Sequence, residues 1–157
     1  MTVEFGRWLP AGLVALAFFA WLSGNAVQQP TLADDAPIEI TQDAEITAVL
    51  AGKTLYGKMP NGARWVEYYD ANGGSAYRED QEACGGKWRV SGNIVCFMYP
   101  FYKNGEPNCF NLWRSGSNIL FVVAGSAPNI KDDIEVIDRI ASGDPESLMA
   151  TVSPACR

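Results

Sequence analysis

No histidine occurs in the 157 residues of this chain. Histidine is the commonest general base near neutral pH and a frequent metal ligand. Without it, Ser-His and Cys-His nucleophile pairs cannot form. Clusters of Lys and Arg are also missing, and the net charge is −6. Binding to a phosphate backbone rests on such clusters, so the composition argues against nucleic acid as a partner. No CxxC pair is present, which removes zinc ribbons and thioredoxin-like redox sites. Asp70-Ala71-Asn72-Gly73-Gly74 opens like a calcium loop. It fails at Gly74, where an oxygen ligand is required, and at Gln81, where a glutamate is required. The expectation is a protein without metal, cofactor or catalytic machinery.

What the chain does have begins with an apolar stretch. Trp8 to Leu22 is broken only by Pro10 and Gly12, and Arg7 precedes it. Two readings fit. Residues 1–26 are a signal peptide cut after Ala26, with Ala33 a second cleavage site, or they are an uncleaved membrane anchor. Either reading places the remainder outside the cytoplasm, in the periplasm or the secreted fraction, because Arg7 stays inside. No Cys follows the run, which argues against a lipoprotein anchor. Residues 27–40 lack periodicity and read as a linker. Residues 41–157 read as one domain.

Four cysteines lie beyond residue 80, as expected in an oxidising compartment. Their pairing depends on the strand register. Gly85 to Val123 holds short apolar and aromatic runs split by Ser91-Gly92-Asn93 and Ser115-Gly116-Ser117, the usual mark of hairpins. Folding about Gly92 sets Trp88 opposite Cys96. Folding between Tyr102 and Lys103 sets Cys96 opposite Cys109. Folding about Gly116 sets Cys109 opposite Val123 and Trp113 opposite Ile119. Cys96 then pairs with Cys109, and Cys84 with Cys156 by elimination. Free buried thiols are the alternative.

This register gives the sheet two faces. Trp88, Val90, Ile94, Cys96, Met98, Cys109, Trp113, Ile119, Phe121 and Val123 form the expected core. Val95, Phe97, Tyr99, Phe110, Leu112, Leu120 and Val122 form the other face, with Lys87, Arg89 and Arg114 at its ends. That face is covered by the same chain or is a patch for a partner or lipid.

Upstream, Thr41 to Ala51 reads as a short helix capped by Thr41 and ended at Gly52. Strands follow at Thr54–Lys58, Arg64–Asp70 and Ser75–Asp80. The hairpin through Asn72-Gly73 brings Tyr68 near Tyr77 and Val66 near Glu79. Glu67, Arg78, Glu79 and Arg89 are charges within apolar strands. They are either a solvated face with weak ion pairs or polar groups inside a ligand cavity. A carboxylate pair of the glycosidase kind can be drawn from Glu67 and Glu79, but paired surface carboxylates are common. Ile134 to Ile140 fits two patterns: a helix face of Ile134, Ile137, Ile140 and Ala141, or a strand showing Ile134, Val136 and Ile140 on one face with Asp138 as an exception; its β-branched content favours a last strand. Asp144-Pro145 starts a short helical turn.

Eight short sequential strands predict a mainly β domain, an antiparallel meander closed as a small up-and-down barrel with one helix before it, with a sandwich or a half-open barrel as the alternative. The candidate ligand or partner contacts are Tyr68, Tyr77, Phe97, Phe110 and Leu112. The partner is a small apolar ligand or a protein, and a membrane only if the first segment is retained. The leading function is a periplasmic binding or accessory protein; the alternative is an anchored subunit of a membrane complex.

Several motifs add a resemblance: L-x-G-x-T-x-Y-G at Leu50 to Gly57, W-x-E-Y-Y at Trp65 to Tyr69, G-K-W-R-V at Gly86 to Val90, and C-F at Cys96-Phe97 and Cys109-Phe110. Over residues 48–123 the chain resembles a group of small exported bacterial proteins of unknown function, mostly alphaproteobacterial. The resemblance implies a lipocalin-like or related β domain outside the cytoplasm. It implies no catalytic residues.

Overall fold

The computed structural model describes residues 36–129, 131–153 and 156. The expected export segment, its two cleavage sites and most of the linker lie outside them.

Among the described residues the chain forms one helix, α1 (Asp43–Leu50), and nine strands in a single sheet. They are β1 (Ile38–Glu39), β2 (Lys53–Lys58), β3 (Arg64–Tyr69), β4 (Gly74–Arg78), β5 (Cys84–Ser91), β6 (Ile94–Met98), β7 (Asn108–Ser115), β8 (Asn118–Val123) and β9 (Ile134–Ser142). Strands β2 to β9 pair antiparallel with their neighbours in sequence, and β9 returns to pair with β2. The result is the closed eight-stranded barrel that the meander pattern predicts. Closure leaves no long sheet edge to template another chain.

The register differs from the expected one by a single residue at three hairpins. Gly92 and Asn93 both take positive φ, 61° and 57°. This is the backbone of a two-residue type I′ turn, which Gly and Asn adopt at little cost. Ser91 therefore pairs with Ile94 and Trp88 with Phe97. Gly116, at φ 58°, opens another two-residue turn, so Ser115 pairs with Asn118 and Leu112 with Phe121. The looser β6–β7 connection falls as expected, with Cys96 opposite Cys109. A one-residue slip on each side turns β6 and β7 over. Trp88, Ile119 and Phe121 stay in the core as expected. Val95, Phe97, Tyr99, Phe110 and Leu112, expected on the other face, are buried in the core with them. Ile94, Cys96, Met98, Cys109 and Trp113 leave the expected core and lie on the opposite, outer side. Likewise Glu67 rather than Tyr68 faces Tyr77, and Val66 faces Arg78 rather than Glu79.

Strand β9 is also turned over. Ile137 is buried, opposite Ile119, and Glu135 lies opposite Phe121, while Ile140 is exposed. Asp138 has no partner in β2, where Tyr56 pairs with Arg139 and Gly57 with Ile137. The exception in the alternation is thus a β-bulge, which inserts one residue and bends the strand.

One end of the barrel is stoppered. Ile46, Val49 and Leu50 of α1 and Ile40 before it are buried in the main core. Thr41 does not cap this helix. Gln42 holds the cap position without a side-chain bond, and the Asp43 carboxylate instead accepts from the N–H groups of Gly92 and Asn93 at 3.2 and 2.6 Å. The helix start is thereby pinned to the β5–β6 turn. Beyond α1, the Gly52 N–H donates to the Tyr69 carbonyl, and Gly143 N–H to the Gly52 carbonyl.

Strand β1 lies within the expected linker. It pairs with Trp113 and Arg114 of β7, and Ile40 N–H donates to the Leu112 carbonyl. There β7 has run past the end of β6, and its ladder groups need another partner. Both expected disulfides form, Cys96–Cys109 and Cys84–Cys156. The second fixes the C-terminal tail beside β5, where Val152 bridges Ala83 and Ser153 N–H donates to the Ala83 carbonyl. Leu148, fully buried, packs there with Val66, Ala76 and Ala83. Asp144 caps this segment through the N–H groups of Leu148 and Met149.

Candidate functional site

Opposite the helix the barrel opens into a cavity of about 290 Å³. Its wall follows from strand alternation. Trp65, Glu67 and Tyr69 are every second residue of β3 and point the same way. Tyr77 comes from β4, Phe97 from β6, Phe110 from β7, Phe121 from β8 and Glu135 from β9. Tyr99, Phe101 and Tyr102, after β6, complete the rim with Met59, Glu79 and Asn108.

Two glycines make room for the rings. A Cβ on Gly57 would lie 2.4 Å from the Trp65 ring, and one on Gly86 would lie 2.4 Å from the Tyr99 ring. The rings then contact one another around the wall. Phe97 meets Tyr69, Phe110 and Phe121 at centroid separations of 5.5, 5.8 and 5.6 Å. Tyr99 meets Tyr77 and Phe101 at 5.7 and 5.2 Å. These spacings suit tilted and offset aromatic pairs. The cup is held open by mutual packing of its wall.

Carboxylates interrupt the aromatic surface. Glu67 is 3% exposed. It accepts a hydrogen bond from the Tyr69 hydroxyl at 2.9 Å and another from the Tyr99 hydroxyl. Burial outweighs these donors and pushes Glu67 up to about 7, with a further push from Glu135. Burial also raises Glu135 to about 7, and Glu79 adds to it. The Trp65 indole N–H is buried and makes no hydrogen bond of good geometry. Its pull on Glu135 is favourable but smaller than the effect of burial. At the rim, exposed Glu79 accepts from the Tyr77 hydroxyl at 3.2 Å. The hydroxyls of Tyr69, Tyr77 and Tyr99 are all shifted upward, chiefly by burial. They remain protonated donors at any ordinary pH.

Of the candidate contacts read from sequence, Tyr77, Phe97 and Phe110 line this cavity. Leu112 is fully buried in the core away from its lining. Tyr68 packs against the outer cluster of Val66, Ala76, Ala83 and Leu148. Glu67 and Glu79 both reach the cavity, one deep and one at the rim. Arg78 is outside, paired with Glu146 at 3.0 Å, and Arg89 is exposed. Sequence reading misses Trp65, Tyr99, Phe101, Phe121 and Glu135 as cavity residues. A two-residue reading of the Gly92-Asn93 and Gly116-Ser117 turns would have turned Tyr99 inward.

Among the described residues, no three acidic or thiol side chains converge to hold a metal ion. Among them, too, no helix is long and apolar enough to cross a membrane. Comparison with protein-family models, with curated proteins and with solved structures gives no match.

Proposed function

We propose that this chain is an exported binding protein that holds a small, largely apolar molecule in the open end of its barrel, with no chemical step. One observation carries the reading: a cavity of about 290 Å³ walled by aromatic rings, with carboxylates among them. Eight strands leave an interior that is filled by side chains or accepts one small ligand. Here the helix end is filled and the other end is not. Pockets with mostly apolar walls and a few polar groups are the usual form of a ligand site. Export is supported by the two disulfides, which suit an oxidising compartment, and by the apolar stretch from Trp8 to Leu22.

The Trp65 indole N–H gives a direct test, because it is buried in the cup wall beside Glu135 and makes no hydrogen bond of good geometry. Trp113 Nε1 is also buried and unpaired, but it belongs to the other side of the sheet. In a nitrogen–proton NMR spectrum, the small-molecule fraction of the producing cells should shift the Trp65 indole signal and leave that of Trp113 in place. If neither signal moves at saturating extract, the cup is not a ligand site.

A further inference from the structure

Taking the cup as a ligand site, we propose that its ligand carries a positive charge: an organic ammonium group joined to an apolar body, with the charge seated among the ring faces beside Glu67 and Glu135. Three carboxylates line the cavity, Glu67, Glu79 and Glu135, and no Lys or Arg does. Lys103 stands at the rim with its amine over the Tyr102 ring, 5.1 Å from the centroid, and is not part of the lining. An anionic guest would meet three carboxylates and the negative faces of the rings, offset only by neutral donors such as the Trp65 N–H, Asn108 and the tyrosine hydroxyls. An ammonium group meets attraction from both, since aromatic faces draw cations most strongly where water is excluded.

The polar groups of the cup are poorly matched to one another. Glu67 and Glu135 reach it from β3 and β9, and neither has a cationic partner there. Burying a carboxyl group without a counter-charge is costly, and such a group takes up a proton instead. Both carboxyls do so near neutrality. The Trp65 indole, 4% exposed, points at Glu135 without forming a hydrogen bond of good geometry. A bound cation removes this mismatch. It draws the proton off Glu67 or Glu135, and the ionised Glu135 becomes a stronger acceptor for Trp65.

Binding should therefore release a proton and tighten as pH rises. The groups that face Glu67 are Tyr69 on its own strand, Ser75 and Tyr77 on β4, Tyr99 after β6, and Glu135 on β9. Those that face Glu135 are Trp65, Glu67 and Tyr69 on β3, Tyr77 on β4, and Glu79 after it. The tyrosines keep their protons throughout, so the groups that titrate near neutrality are Glu67 and Glu135.

Three probes of similar shape separate the possibilities: benzyltrimethylammonium, neutral neopentylbenzene, and phenylmethanesulfonate. The first cannot lose a proton, so any pH dependence belongs to the protein. Titration calorimetry on the disulfide-intact protein should show the cation binding about tenfold more tightly than the neutral probe, and the sulfonate most weakly. The cation's affinity should rise from about pH 6 to about pH 8, with proton release visible when buffers of different ionisation enthalpy are compared. Glu135→Gln should reduce the preference for cation over neutral probe. Exposed Glu79→Gln should reduce it less, and it tests the same point without touching the core. Equal binding of cation and neutral probe, or preference for the sulfonate, would overturn the inference of charge and leave the cup as a ligand site. Failure of all three probes to bind would overturn the ligand site itself.

Discussion

Glu67 is the side chain at which burial and charge conflict most. It lies between two tyrosine hydroxyls in a wall of rings, and burial lifts it from 4.5 to about 7. In the unfolded chain it ionises near its ordinary value. Between the two values the native state holds a proton that the unfolded chain has released, so stability falls as pH rises. The stabilisation is complete below about pH 4.5 and is lost by about pH 7. Its full size is roughly 3 kcal/mol, because a tenfold change in proton affinity corresponds to about 1.4 kcal/mol. Glu135 acts in the same direction. Urea unfolding should therefore show the ligand-free protein more stable at about pH 5 than at about pH 8. Glu67→Gln should flatten that slope and stabilise the protein at the higher pH. The amide stays neutral, and a tyrosine hydroxyl can turn to accept from it. Stability that rises over this range would show that Glu67 is ionised in the folded protein. The glycine at position 86 gives a second test. A Cβ there meets the Tyr99 ring at 2.4 Å and the Ser75 hydroxyl at 2.9 Å. Gly86→Ala should cost about 1–3 kcal/mol, as overpacked sites do. It should also displace Tyr99 from Glu67. An unchanged unfolding midpoint would mean that the wall yields more easily than its packing implies.

The strands are legible in the sequence because Gly and Asn separate their apolar runs. The faces of β6 and β7 are not, because a turn containing one central Gly can be read with two or three residues. Only the positive φ at both Gly92 and Asn93 settles it, and that half-step decides which rings enter the barrel. Phe97 and Phe110 therefore stand out as contact residues in the sequence but fall there on the wrong face. The face of β9 is misread when its β-branched residues are assumed to point inward, whereas Glu135 does so and Asp138 is bulged out. Two-residue β1 has no periodicity of its own. It exists because β7 outruns β6. Cys96–Cys109 follows from register, since the β6–β7 pairing is the one unaffected by the slip, and Cys84–Cys156 then follows by elimination. Each should behave as the fold dictates. Cys96→Ala with Cys109→Ala opens a bridge across 13 residues, which in the chain-entropy model is worth about 3 kcal/mol. Cys84→Ser with Cys156→Ser should instead free the tail that seats Leu148 against Val66, Ala76 and Ala83. Hydrogen exchange should then quicken at Leu148 and Thr151 while β6 to β8 stay protected. Uniform loss of protection would mean that the tail is part of the barrel's cooperative unit.

At the scale of the whole barrel, one end is closed and the other is not. The helix, Ile40 and the inward aliphatic residues fill the lower half of the barrel. Aromatic rings, with Gly57 and Gly86 opposite them, fill the upper half only partly. The outer face of β3 to β5 is covered by the C-terminal tail. Among the described residues, the open cup is a cavity of about 290 Å³ walled by aromatic rings, with Glu67, Glu79 and Glu135 in its lining. Native mass spectrometry of the untagged protein, released gently from its own cells, tests most directly whether that cup has an occupant. The predicted spectrum shows the chain with two disulfides and an added small mass. That mass should be lost when the cells are extracted near pH 5 and retained near pH 8. A bare chain at both pH values, travelling only with larger proteins, would contradict a ligand-holding cup and turn attention to the outer surface of the barrel.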